Sequence, residues 1–125
     1  MNKQLASESI GKIVEVFAGQ NGNYIGQIEN ILPGSGEVVV INILACIKYP
    51  EQRAIFYTFN SFERWPFYYG SKETCHITCI ELFYGTIPEY YDIMPRVLDE
   101  TFQIETEADR EIYERHKKHW TSNRG

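Results

Sequence analysis

The sequence predicts a mainly β protein: a small, partly open barrel of about five strands followed by a C-terminal helical appendage. Three observations lead there. β-Branched and aromatic runs of period two, separated by Gly, Asn and Pro clusters, follow one another from Gly11 to Phe83. One of those runs is interrupted by Gly26, and a glycine inside a strand marks a bulge or the sharp bend of a barrel corner. Beyond Pro88 the apolar spacing changes to i, i+4, the helical period. A chain of 125 residues suits one domain, with 10–87 as the barrel and 88–121 as the helical appendage packed on it.

Residues 1–9 are polar and expected to fray. "GKIVEVFAG" puts Val14 and Val16 on one face and Ile13 on the other, the pattern of a first strand. After the turn cluster "GQNGN", "NYIGQIENI" forms a second, with Tyr24, Gly26, Ile28 and Asn30 on one face. "EVVVINILACIK" is the most β-rich run, and its near-continuous apolar character predicts a central strand covered on both sides. Pro50 ends it. "RAIFYTF" reads as a fourth strand and "TCHITCIELF" as a fifth, with "NSFERWPFYYGSKE" as an aromatic-rich loop between them. In the appendage, Asp92 is placed to cap a first helix with Pro95 in its first turn and Ile93, Val97 and Phe102 on one stripe. Thr106 and Asp109 form a capping-box-like pair ahead of a second helix, whose stripe is Ile104, Ala108, Ile112, His116 and Trp120.

"ILPGSGEVVV" holds two glycines around a serine, which invites a phosphate cradle. Gly36 is followed by Glu37 and not by lysine, and the residues beyond build a strand rather than a helix N-terminus. Pro33-Gly34 instead suits a type II turn, so the stretch is a hairpin.

Other chemistries fail on spacing. Cys75, Cys79, His116 and His119 raise the question of zinc. In one continuous strand Cys75 and Cys79 would stand roughly 13 Å apart, too far for a shared ion or a disulfide. Cys75 and His76 are neighbours pointing to opposite faces, so no nucleophile–base pair forms there. The acids of "IETEADREIYERHKKHW" are expected on solvated helix surface, and Arg115, His116, Lys117 and Lys118 as a solvated face with cations toward the helix C-terminus. No catalytic residue, metal or cofactor is expected, and the roles of Cys46, Cys75 and Cys79 are left open.

The net charge of −5 opposes attachment to nucleic acid through a general positive field. "MNKQLASESIGK" has no apolar signal core and no lipid-attachment cysteine, and no apolar run is long enough to span a bilayer. Three cysteines make no disulfide framework and fit a reducing cytoplasm. What remains is binding. Aromatic residues make up 14% of the chain, more than a domain this size can hide. Tyr24, Trp65, Phe67, Tyr68 and Tyr90 are the candidate protein-binding residues, with Tyr69 and Tyr91 beside them and Pro66 and Pro88 as flanks. They could equally plug the barrel ends and hold the helices.

Two resemblances emerge from this layout. "IGKIVEVFAGQNGNYIGQIENI" is similar to the KOW motif of ribosomal and transcription-elongation proteins, in which G-x-x-V-x-V precedes a Gly-rich loop and a second strand. That similarity implies an SH3-like barrel. Nucleic-acid-binding members carry a Lys- and Arg-rich loop, and "AGQNGNY" has neither. The second resemblance runs from about Ile10 to Leu98. Tyr24-Ile25-Gly26, Pro33-Gly34-Ser35, the apolar run ending Lys48-Tyr49-Pro50, and Gly85-Thr86-Ile87-Pro88-Glu89-Tyr90 resemble, in order and spacing, the kinase-associated protein B family of spore-forming bacilli. It implies an SH3-like barrel with helical additions. The function it implies is a non-enzymatic accessory role for a sensor histidine kinase that feeds the sporulation phosphorelay. The expected partner is that kinase or another phosphorelay component, or a second copy of this chain. The expected location is the cytoplasm, including the inner membrane face through the partner. The KOW-like alternative is a nucleic-acid or ribosome-associated domain.

Overall fold

The computed structural model describes residues 1–52 and 63–122. Among the described residues, five strands form one antiparallel sheet: β1 (Ile13–Phe17), β2 (Asn23–Ile31), β3 (Val38–Lys48), β4 (Lys72–His76) and β5 (Ile80–Leu82), in the order β4-β3-β2-β1-β5. In the same residues three α-helices accompany it: α1 (Lys3–Glu8), α2 (Tyr90–Thr101) and α3 (Glu107–Ser122). The proposed "RAIFYTF" strand lies outside the described residues.

The fifth predicted strand proves to be two. "TCHITCIELF" breaks at a 3₁₀ turn over Ile77–Cys79, capped by the His76 side chain, which accepts the Thr78 N–H. The strand before it pairs with β3 and the strand after it with β1, at opposite edges of the sheet. Flat, those edges would stand about 19 Å apart, four strand spacings. Three residues at about 2 Å rise each cannot cover that distance. The sheet must therefore curl until its edges approach, which makes it barrel-like while leaving it open. The 3₁₀ turn also removes the assumption behind the separation of Cys75 and Cys79, since they no longer share one strand. It buries both Ile77 and Ile80, which strict alternation had placed on opposite faces.

Gly26 lets the curl tighten. The β2–β3 register shifts between Ile25 and Gly26, and a Cβ at Gly26 would meet Ile41 Cγ2 at 2.3 Å and the Asn42 carbonyl oxygen at 2.9 Å. The β2–β3 hairpin closes through Pro33-Gly34-Ser35, with Gly34 at φ 119° and the Leu32 N–H bonded to the Val38 carbonyl at 2.9 Å. The hairpin reading stands.

β3 differs from expectation. Val39, Ile41, Ile43 and Ala45 are buried, while Val40, Asn42 and Leu44 between them stay partly open. An antiparallel sheet can leave one face half-solvated, and this one does. The N-terminus is not frayed either. α1 is capped by Asn2, whose side chain accepts the Leu5 N–H at 2.8 Å, and it buries Ala6.

α2 begins two residues before the expected cap. Glu89 is the N-cap, accepting the Asp92 N–H at 2.6 Å, so Asp92 lies in the first turn and Pro95 one turn later, inside the helix. The buried face is Tyr90, Met94, Val97 and Leu98, with Ile93 and Phe102 at its margin. For α3, the Thr106–Asp109 box is present: the Asp109 N–H bonds to Thr106 Oγ1, and the Thr106 N–H to Asp109 Oδ2, both at 3.1 Å. Ile112, His116 and Trp120 are buried, while Ile104 falls outside the helix and is exposed. Tyr24, Ile28, Ile41, Ile43, Tyr49, Met94, Leu98 and Trp120 join one core shared by sheet and helices.

Candidate functional site: an aromatic loop pinned from beneath

Residues 63–70 cross the end of the sheet between β3 and β4 and carry most of the candidate aromatics. Their surroundings sort them. Tyr24 and Tyr90 are buried, against the expectation of surface contact, because β2 and α2 turn both rings into the core. Trp65 is 36% exposed, Tyr68 65% and Tyr69 56%, while Phe67 is partly buried between these groups.

The buried pair holds the exposed ones. Tyr24 stacks on Phe67 with ring centroids 4.7 Å apart, its hydroxyl accepts the Phe67 N–H at 3.2 Å, and it donates to the Asn21 carbonyl. The Tyr90 hydroxyl donates to the Phe67 carbonyl at 2.6 Å. Both polar groups of the Phe67 backbone are thus satisfied by side chains from two different elements. Burial pushes both phenols above their ordinary range, so both remain protonated donors at any physiological pH. Past Phe67 the chain turns, with the Ser71 N–H bonded to the Tyr68 carbonyl at 3.1 Å and Gly70 at φ 79°. The Gly70 N–H then reaches the Ile43 carbonyl at 2.8 Å. Tyr68 and Tyr69 therefore project from a backbone fixed on either side.

The loop's other end is clamped by residues that sequence reasoning passed over. Gln52 pairs with the Arg64 backbone in both directions, accepting its N–H at 2.9 Å and donating to its carbonyl at 2.6 Å. The Arg64 guanidinium bonds to the Glu51 carbonyl and Gln20 Oε1, each at 2.9 Å. Trp65 lies flat on His116, centroids 3.7 Å apart and 3° from parallel. Beneath it the Tyr49 hydroxyl stands 2.5 Å from His116 Nδ1 and accepts the Trp120 Nε1–H at 2.8 Å. Nothing in the local pattern around Tyr49 signals a partner 67 residues away.

The basic run near the C-terminus is divided accordingly. His116 is fully buried rather than solvated, Arg115 pairs with Glu63, and Lys117 with Asp99. The hydrogen bond from Arg115 holds the Glu63 carboxyl below its usual range. Cys46 is buried, with its thiol pushed up to about 12 by desolvation, and half-buried Cys75 is pushed up to about 11 for the same reason. Neither is an activated nucleophile. Among the described residues, no three of His, Cys, Asp and Glu are placed to hold a metal ion. In the same residues no helix is long and apolar enough to cross a membrane.

A curled five-stranded sheet with α2 and α3 across it matches a known structure. No protein-family model and no curated protein matches the chain. A crystal structure does, with a TM-score of 0.61 over 90% of this chain and 91% of the other, at 25% sequence identity. The structural neighbour is kinase-associated protein B from Bacillus cereus. The likeness to kinase-associated protein B covers 90% of the chain, more than the stretch from Ile10 to Leu98 that carried the sequence resemblance. Its name describes a protein associated with a kinase.

Proposed function

We propose that this protein is a non-enzymatic accessory domain that docks its aromatic loop on a signalling protein, either a sensor histidine kinase or another phosphorelay component of a sporulating cell. The observation that carries this reading is the exposure of Tyr68 and Tyr69 on a backbone immobilised by Tyr24 and Tyr90. Two rigid, amphipathic rings held ready for contact lose little entropy on binding. The name of the structural neighbour supports a kinase as the partner. In this reading Trp65, Tyr68 and Tyr69 touch the partner, while Tyr24, Phe67 and Tyr90 position them. Residues 10–87 present the surface and 88–121 brace it. The protein works in the cytoplasm, at the inner membrane face when its partner is there.

The test is affinity purification of the tagged full chain from a sporulating host, beside a Tyr68→Ser/Tyr69→Ser double variant. Both positions are exposed, so the variant should keep its stability within about 0.5 kcal/mol. The wild type is expected to recover a histidine kinase or phosphorelay protein and the variant to lose it. Recovery of ribosomes or RNA, falling steeply with salt, would overturn this in favour of the KOW-like alternative. Recovery of only the protein's own copies would make the aromatic loop a self-association surface instead.

A further inference from the structure

His116 is fully buried on α3 and roofed by Trp65. The direction of its hydrogen bonds can be deduced. An indole N–H only donates, so Trp120 Nε1–H occupies the Tyr49 oxygen as donor. The phenol hydrogen then has its acceptor in His116 Nδ1, which places the hydrogen of the neutral imidazole on Nε2. That Nε2 is buried without a well-formed hydrogen bond, because Glu63 Oε2 stands 3.4 Å away while Arg115 holds the other oxygen of that carboxylate. A proton added to Nδ1 would set two donors against the Tyr49 oxygen and leave the phenol hydrogen without its acceptor. It would also bury a cation.

We propose that the Trp65–His116–Tyr49 cluster is an acid-opened latch: protonation of His116 at Nδ1 frees the Glu63–Pro66 stretch and the C-terminal half of α3 from the end of the barrel. The groups facing the imidazole have opposing effects. Glu63 favours its cation, while Arg115 and His119 on α3 disfavour it. Burial keeps the Tyr49 phenol protonated. Desolvation outweighs Glu63, and the His116 pKa lies below the ordinary 6.5. The unfolded chain therefore takes up the proton more readily than the folded one. The stabilisation is complete above pH 6.5 and is lost as pH falls from there toward the folded-state value. The latch would open in this way whatever the aromatic loop binds.

Both tryptophans of the chain, Trp65 and Trp120, belong to the cluster and report on it without labels. The experiment follows their emission and the three histidine ring signals by NMR, in the full chain, from pH 8 to pH 5. The expected result is a His116 pKa below 6.5, with a red shift of emission over the same range. The folding equilibrium constant should fall up to about tenfold per pH unit below 6.5 until the folded-state pKa is reached. His116→Asn should remove that dependence, and His76→Asn, at an exposed site, should keep it. A His116 that titrates at or above 6.5, or an unchanged pH course in His116→Asn, would overturn the latch. If His116→Asn does not fold, the wild-type titration decides alone.

Discussion

Tyr24 holds Phe67 twice: by its ring, stacked at 20° to the phenyl plane, and by its hydroxyl, which accepts the Phe67 N–H. The same hydroxyl donates to the Asn21 carbonyl. Tyr24→Phe keeps the stack and strands both backbone groups. It should cost about 0.5–1.5 kcal/mol by urea unfolding, the net range for a lost hydrogen bond, because both bonds are only part-buried. Amide exchange at Phe67 should accelerate more than exchange in β1, which tests that the loss is local.

Gly26 is required for space and not for its backbone angle, since its φ is not positive. In Gly26→Ala the new methyl would meet Ile41, a fully buried core residue, and the Asn42 backbone. Overpacking of that kind costs about 1–3 kcal/mol. A urea midpoint lowered by that amount with the m-value unchanged is the expected reading.

Asp99 accepts from Tyr113 at 2.5 Å and from Lys117 at 2.7 Å, tying α2 to α3. The Lys117 bond, then the Tyr113 bond, holds the Asp99 carboxyl below its ordinary 3.8. A carboxyl whose folded pKa is depressed adds stability above the unfolded pKa and loses it as pH falls through the folded one. The pair is largely solvated, so the contribution should stay under about 1 kcal/mol. Asp99→Asn should lower the denaturation midpoint at pH 7, with the difference from the wild type narrowing as pH falls below 3.8 and shrinking in high salt.

Cys46 should be inert in the native state, because burial keeps its thiol protonated and covered. Iodoacetamide at pH 8 should label Cys79 ahead of Cys46, which should react only once urea unfolds the chain. Mass spectrometry of the labelled peptides checks the order. Labelling of native Cys46 at the rate of Cys79 would contradict the burial.

Much of the architecture is local chemistry and was legible from the chain itself. Alternation identifies β1 and β2, Pro33-Gly34 the hairpin, Gly26 the bulge, and Thr106 with Asp109 the start of α3, because each depends on neighbours within a few residues. The break at Ile77–Cys79 was not legible. Its residues continue an alternating pattern, and only the need to reach β1 from the far edge of the sheet explains a 3₁₀ turn there. The placement of α2 was missed for a smaller reason: Asp92 is a preferred cap and Glu89 is not, and it is packing of Tyr90 into the core that favours the earlier start.

By its own sequence this protein is a five-stranded β domain with helices behind it and an excess of aromatic residues. Which of those aromatics face outward was decided by tertiary structure alone. Tyr24 and Tyr90 look no different from Tyr68 and Tyr69 in the chain, and exposure is set by where the curled sheet and α2 direct each ring. The same holds for Tyr49, His116 and Trp120. Their hydrogen bonds join positions 67 and 71 residues apart, and such pairings exist only once the barrel end and α3 have met.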